Sequence, residues 1–306
     1  MQLSLNPSDQ IFLTGINQIQ QQISAASQQL TSGLKVSVAS DAPDQIDDLL
    51  QLRASQAQNT QIQSNLSMEQ TNAQAADGAL GSAIQLMDTA TQLAAQGANS
   101  TQTAASQQAL AQQVATLQTE MVNISQTQVQ GRYIFSGDAD QSPSYQVNLS
   151  SPNGVDQLSN AASTRQIQNP EGGTFSASMT AQQIFSAQNA DGTNAGGNVF
   201  AALNNLRVAL LNNDQAGITT AQGEIQQAST QLNTAQSFYG NVENNITNAT
   251  NYSTTYATQL TTQIGSIQDA DATSAALQLT ESNTQLQAAF ESQGKMPTSS
   301  LFDYLG

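Results

Sequence analysis

The chain has 306 residues, of which 38% are hydrophobic, 5% aromatic and 9% charged, with no Trp and a formal net charge of −16. A surface of Gln, Asn, Ser and Thr over an interior of Ala, Leu, Ile and Val suits long helices packed through small residues and suits a rounded enzyme poorly. With neither His nor Cys there is no imidazole base, thiol nucleophile, disulfide or usual zinc ligand, and the basic residues Lys35, Arg53, Arg132, Arg165, Arg207 and Lys295 are too scattered to bind nucleic acid or an anionic membrane.

The first ten residues have neither the basic start nor the apolar run of a cleaved secretory signal, and no later stretch is apolar for long enough to span a bilayer. Phe12, Ile16, Ile19, Ile23, Ala26 and Leu30 then step by four and three, which places them on one stripe of a helix ended by Gly33. Ser40-Asp41-Ala42-Pro43-Asp44 reads as the next helix start, with a side-chain acceptor, Pro in the first turn and acid at the positive end of the dipole. Leu66, Ala73, Leu80 and Met87 follow at sevenfold spacing, widened by Ile62, Ala76 and Ile84, and that helix should end near Gly97. Leu110, Val114, Leu117, Met121 and Ile124 form a second, antiparallel helix, which Gly131 is expected to stop.

From about 132 to 198 the pattern changes. Ser151-Pro152-Asn153-Gly154, Asn169-Pro170-Glu171-Gly172-Gly173 and Gly196-Gly197 punctuate short alternating runs at residues 133–135, 145–149 and 174–176, the signature of a small β-rich insertion. Helical spacing returns at Val199. Ile225, Ala228, Leu232, Ala235, Tyr239, Val242, Ile246 and Ala249 then lead through Ser253, Tyr256, Leu260, Gln263 and Ile267 without a break, a run of roughly 60 Å if helical throughout. A last stripe, Ala272, Ala276, Leu279, Asn283, Leu286 and Phe290, precedes an apolar cluster of Leu301, Phe302, Tyr304 and Leu305.

The fold class expected is therefore mainly α: a long coiled-coil-like bundle formed by both chain ends, with a small β-rich domain inserted in the middle. Its parts are residues 1–40 (N-terminal helix), 41–137 (first half of the helical part), 138–198 (insertion), 199–267 (second half) and 268–306 (C-terminal helix). The stripes at residues 60–130 have partners within such a bundle. Those at the two ends have nothing else in the chain assigned to cover them.

Several segments resemble one family. Gln29-Leu30-Thr31-Ser32-Gly33-Leu34-Lys35-Val36, followed by Ser40-Asp41-Ala42-Pro43, is similar to the N-terminal signature shared by flagellins and hook–filament junction proteins. Gly131-Arg132-Tyr133-Ile134-Phe135-Ser136-Gly137 resembles the junction branch, and Ser300-Leu301-Phe302-Asp303-Tyr304-Leu305 resembles its ending. The family usually has a second basic residue beside the lysine, whereas Lys35 stands alone, and the low charge is also unusual.

That resemblance implies a structural protein of the bacterial flagellum, not an enzyme, acting without a cofactor. It would leave the cell by the flagellar type III route without a cleaved signal and form a ring between hook and filament. The partners implied are hook-associated protein 1, flagellin, a cytoplasmic export chaperone and further copies of itself. The subunit-interface residues would be Phe12, Ile16, Ile19, Ile23, Leu30, Leu279, Leu286, Phe290, Leu301, Phe302, Tyr304 and Leu305. Filament flagellin shares both ends, but the motif from Gly131 to Gly137 and Phe302-Asp303-Tyr304 speak against it; a secreted coiled-coil adhesin is the reading from another class. Asp41, Asp44, Asp47 and Asp48 lack the ligand order of a calcium loop, so capping and a solvated face explain them. Arg132 reads as a structural ion pair or carbonyl cap beneath the insertion.

Overall fold

Helix-stopping chemistry decides where the long segments end. The computed structural model describes residues 7–161 and 163–295. Helix α1 (Pro7–Ser32) ends at Gly33, whose φ of +72° suits a residue without a β-carbon and whose N–H reaches the Gln29 carbonyl at 2.8 Å. The expected helix start at Ser40 is instead a tight turn. Asp41 Oδ2 accepts the N–H groups of Ser37 (2.8 Å) and Val38 (2.9 Å), and Ala42 ahead of Pro43 lies outside the helical region at φ −149° and ψ 75°. Helix α2 (Ile46–Gly97) begins only beyond it, with Asp47 and Asp48 in its first turn.

Helix α3 (Ala104–Ser125) starts where Thr103 Oγ1 accepts the Ser106 N–H at 3.2 Å. It ends well before Gly131, because the chain turns at Gln126 into the hairpin β1 (Gln128–Val129) and β2 (Arg132–Tyr133). Gln130 and Gly131, at φ of 52° and 76°, are the two central residues of that tight turn, and this is the glycine's role. Two further antiparallel hairpins follow: β3 (Tyr145–Val147) with β4 (Val155–Gln157), and β5 (Gln166–Gln168) with β6 (Thr174–Ser176). Each is its own two-stranded sheet. A one-turn helix α4 (Ala181–Phe185) is closed by a capping box between Thr180 and Gln183. Helix α5 (Val199–Leu211) is capped by Asn198, α6 (Gln215–Gln268) by Asp214, and α7 (Ala272–Gly294) by Asp271.

Two compact units divide these elements, residues 59–255 forming one and residues 1–58 with 256–306 the other. In the latter, α1 packs along α7. The larger unit has one continuous core. Leu66, Ala73, Leu80 and Met87 are at most 1% exposed, and they share that core with Val114 and Met121 of α3, Leu203 and Leu206 of α5, and Ile225, Ala228, Leu232 and Ala235 of α6. The heptad spacing predicts this inward face, and burial at about 1.5–3 kcal/mol for each large aliphatic side chain stabilises it. One polar pair interrupts the seam: Asn59 Nδ2 donates to the Ser253 carbonyl at 2.9 Å while Ser253 Oγ donates to Asn59 Oδ1 at 2.6 Å. Both residues are buried, so a sliding helix would leave two unsatisfied groups.

Leu66→Ala is expected to cost about 2–5 kcal/mol in urea unfolding, while Met68→Ala, two residues away on the outer face, should change stability by no more than about 0.5 kcal/mol. Equal midpoints for the two variants would mean that the seam is misassigned.

Candidate functional site

Two groups of residues singled out in the sequence come together in the fold. The first lies where the chain ends meet. Ile16 and Ala26 of α1 are buried, Phe12, Ile19 and Ile23 are half-buried, and Leu30 is exposed. On α7 the covered face is Ala275, Leu279, Ser282, Leu286, Ala289 and Gln293, again at four–three spacing. Leu279 and Leu286 belong to the expected stripe, but the rest of the seam runs one position ahead of it. Small residues at 275, 282 and 289 let α1 approach closely, and Phe290 is left 55% exposed, its ring edge-on to Phe12 at 6.3 Å between centroids. The stripes at the two ends therefore cover each other.

Backbone bonds lock the meeting point. Lys35 N–H donates to the Gln268 carbonyl at 2.7 Å, Ala270 N–H donates to the Gly33 carbonyl at 2.9 Å, and Leu34 bridges Asp269. The segment carrying the N-terminal signature is thus the short strand-like tie between the two ends. Asp41 supports it from behind, its carboxyl held below the usual range by the backbone N–H groups of Val38 and Ser37. Among the mostly polar side chains that α1 and α7 turn outward stand the large apolar Ile11 (75% exposed), Leu13, Leu277 and Phe290. Of these only Phe290 was legible from spacing; Ile11, Leu13 and Leu277 lie off the seam and follow no period. Leu301, Phe302, Tyr304 and Leu305 lie outside the described residues.

The second group is the heptapeptide beginning at Gly131, and each position has a distinct task. Gly131 makes the hairpin turn. Arg132 pairs with Asp140 at 2.8 Å and holds that carboxyl below its usual range, although an arginine 61% exposed contributes little to stability. Tyr133 N–H donates to the Asp140 carbonyl at 2.9 Å, and Ile134 is buried. Phe135 is fully buried, edge-on to Phe185 at 5.5 Å and to Tyr239 at 6.2 Å, and its carbonyl accepts the Ala181 N–H. Ser136 Oγ meets Ser144 Oγ at 2.8 Å. Gly137 sits at φ +53°, where a β-carbon would come within 2.4 Å of the Ser163 carbonyl.

Around this centre the insertion is bolted to α2 and α6. Arg165 donates to the Ile134 carbonyl at 3.2 Å, with its Nε 3.7 Å from the buried Glu69 of α2. Tyr239 Oη of α6 accepts the Met179 N–H at 3.2 Å, and burial pushes its phenol up to about 12. Burial does the same to Tyr145, whose hydroxyl meets Ser186. Sequence reading placed Tyr239 on the buried α6 stripe but missed its cluster with Glu69 and Arg165; a lone acid inside an apolar helical stripe was the available signal for Glu69. Among the described residues no three acids converge as a metal site would require, and no described helix is long and apolar enough to cross a membrane.

The chain matches the bacterial flagellin N-terminal helical region over residues 3–140 and the bacterial flagellin C-terminal helical region over residues 222–305, together more than two thirds of its length. No curated protein matches it in sequence. Its fold is similar to that of a protein assigned as a flagellar hook-associated protein from Vibrio parahaemolyticus, with 19% identity and a TM-score of 0.63 over 75% of this chain and 100% of that one. It is also similar to FlgL from Xanthomonas campestris (18% identity, TM-score 0.57, 69% of this chain and 98% of that one). FlgL from Bacillus cereus matches at 18% identity and a TM-score of 0.50, over 72% of this chain and 99% of that one.

Gly137→Ala should destabilise more than Gly131→Ala. Both incur the roughly 1–2 kcal/mol of a left-handed residue with a β-carbon, but only the first also meets a backbone carbonyl. Thermal unfolding of the two variants side by side checks this. The buried phenols have a separate signature. Their pKa is raised in the fold, so the unfolded chain loses those protons first, and stability should fall as pH rises from about 10, the free tyrosine value, toward 12. In Tyr239→Phe that alkaline slope should be shallower.

Proposed function

The chain belongs to the flagellin family, and on that premise we propose that it is a structural adaptor joining the hook of the bacterial flagellum to its filament. The observation that carries this reading is the pairing of the chain ends. The two flagellin regions match at opposite ends of the sequence, and in the fold those ends pack together through α1 and α7, whose mostly polar outer surface carries several exposed large apolar side chains. Exposed apolar side chains of this kind suit a protein that packs against like subunits. The similarity to solved hook-associated proteins, together with the heptapeptide from Gly131 to Gly137 as the hub of the insertion, favours the junction branch over filament flagellin.

In this reading residues 1–40 and 268–306 are the inner segments of a ring, residues 41–137 and 199–267 its wall, and residues 138–198 an outer lobe. Phe12, Ile16, Ile19, Ile23, Leu30, Leu279, Leu286 and Phe290 build and flank the interface between copies, joined by Leu301, Phe302, Tyr304 and Leu305. Hook-associated protein 1 lies on one side, flagellin on the other, and an export chaperone covers the C-terminal stripe before the chain is secreted by the flagellar type III route without a cleaved signal. The exposed Phe290 and Leu277 are what a chaperone groove would cover.

A deletion strain should shed its filaments and lose motility, and the intact gene should restore both. Leu286→Ser with Phe290→Ser should fail to restore them and should weaken chaperone binding in calorimetry, while unfolding of residues 59–255 stays as in the parent. A deletion strain that swims normally would overturn the adaptor reading. Restored motility that depends on filament mass, with this chain found along the filament, would make it a flagellin.

A further inference from the structure

The turn between β3 and β4 carries the sole Asn-Gly step of the sequence, Asn153-Gly154. Such a step is chemically weak because glycine leaves its own nitrogen unhindered. The Gly154 nitrogen can attack the Asn153 side-chain carbon: the N–Cγ bond forms, the Cγ–Nδ2 bond breaks, and ammonia leaves with the proton from the Gly154 nitrogen. Water then opens the five-membered imide at one carbonyl or the other, leaving aspartate or isoaspartate at position 153. Nothing but water is needed.

The fold opposes each part of that step. Asn153 Nδ2 donates to Asn194 Oδ1 at 3.0 Å and Asn194 Nδ2 donates back to Asn153 Oδ1 at 2.7 Å, closing a ring of two carboxamides that fixes the electrophile. Asn194 is itself steadied by Asn198 Nδ2 at 3.0 Å. The nucleophile is engaged as well, since Gly154 N–H donates to the Ser151 carbonyl at 2.9 Å. The backbone between them is pinned by Gln118 Nε2 of α3, which donates to the Asn153 carbonyl at 3.0 Å. Glycine cannot easily be replaced here: φ is +73°, and a β-carbon would lie 2.9 Å from Gln118 Nε2. The turn needs the residue that makes it fragile.

We infer that Asn153 is a latent self-modification site, held closed by its carboxamide clasp with Asn194. Opening the clasp exposes the imide route, and the reaction does not run back. Aspartate keeps one bond to Asn194 but sets oxygen against oxygen at the other. Isoaspartate adds a backbone methylene and draws the residue 153 carbonyl away from Gln118, unfastening this turn from α3. The conversion would mark the age of a copy and loosen its insertion.

Peptide mapping by mass spectrometry, after incubation of the full chain at mildly alkaline pH, tests this through the mass gain of an amide-to-acid change. Asn99-Ser100, in the turn between α2 and α3, serves as an internal reference. In the folded parent, Asn153 should convert at least tenfold more slowly than in urea, and in Asn194→Ala its conversion should rise roughly tenfold, as expected when two neutral hydrogen bonds no longer oppose local opening. Asn99 should be unaffected by the substitution. Gln118→Met, which leaves the clasp in place, should raise the Asn153 rate less. Equal rates in the folded parent and in urea would overturn the proposal, as would Asn194→Ala converting no faster than the parent. A rise at both Asn153 and Asn99 would show general unfolding and overturn the assignment to Asn194.

Discussion

Everything else in the larger unit depends on a narrow apolar seam in helices that are otherwise polar and almost uncharged. Isolated helices of this composition would be marginal in water, because their amphipathic stripe is thin and few charge pairs stabilise their surface. The stripe holds because Ala73, Ala76, Ala228 and Ala235 alternate with Leu66, Leu80 and Leu232, all nearly inaccessible. Alanine gives up no side-chain entropy on burial and lets the larger neighbours interdigitate. The seam is thus inexpensive to order, which suits a chain with little aromatic bulk to bury. Its few aromatic residues gather instead around Phe135, where Phe185, Tyr239, Phe200 and Tyr145 form one chain of ring contacts linking insertion to helices.

The long helices were legible because sevenfold spacing repeats often enough to average out local exceptions. The stripe from Ile225 to Ala249 is buried at every position that spacing predicts. Where a single residue had to decide, reading was poorer. Gly131 looks like a helix stop, but a glycine of positive φ serves equally in a hairpin turn, and Gln130 beside it adopts the same conformation. Pro43 looks like a first-turn proline, yet Ala42 before it stays outside the helical region and residues 43–45 make a turn, closed by the Gln45 N–H on the Ala42 carbonyl at 3.1 Å, before the helix begins at Ile46. On α7, Phe290 drew the expected stripe toward itself; the observed seam is set by the small Ala275, Ser282 and Ala289, whose size lets α1 approach. Hydrophobicity alone cannot register that preference.

The insertion was legible as a class and not in detail. Gln166-Ile167-Gln168 forms a strand whose buried residue is Ile167 alone, and Val155-Asp156-Gln157 is no more distinctive. Strands of three residues carry too few alternations to stand out, and their pairing is decided by turns at Gly154 and at Gly172-Gly173. The cluster of Glu69, Arg165 and Tyr239 escaped for another reason. Its members are distant in sequence, and only the hairpins bring them together.

Fastening the insertion with little charge accounts for the composition that seemed odd at the outset. Only two ion pairs occur among the described residues. Beside the Arg165–Glu69 contact, carboxamides do most of the work: Gln118 binds the Asn153 carbonyl, Asn204 the Pro152 carbonyl at 2.9 Å, and Gln231 the Gln183 carbonyl at 2.8 Å. A carboxamide offers donor and acceptor together, so it can satisfy a loop carbonyl at a helix surface without the desolvation that a buried charge demands. Such bonds are also insensitive to ionic strength, whereas exposed ion pairs weaken as salt rises. For a structural protein whose surroundings it does not control, bolting loops to helices with Gln and Asn keeps the insertion in place across conditions. It also leaves one bolt, Asn153, made of the same chemistry that can undo it.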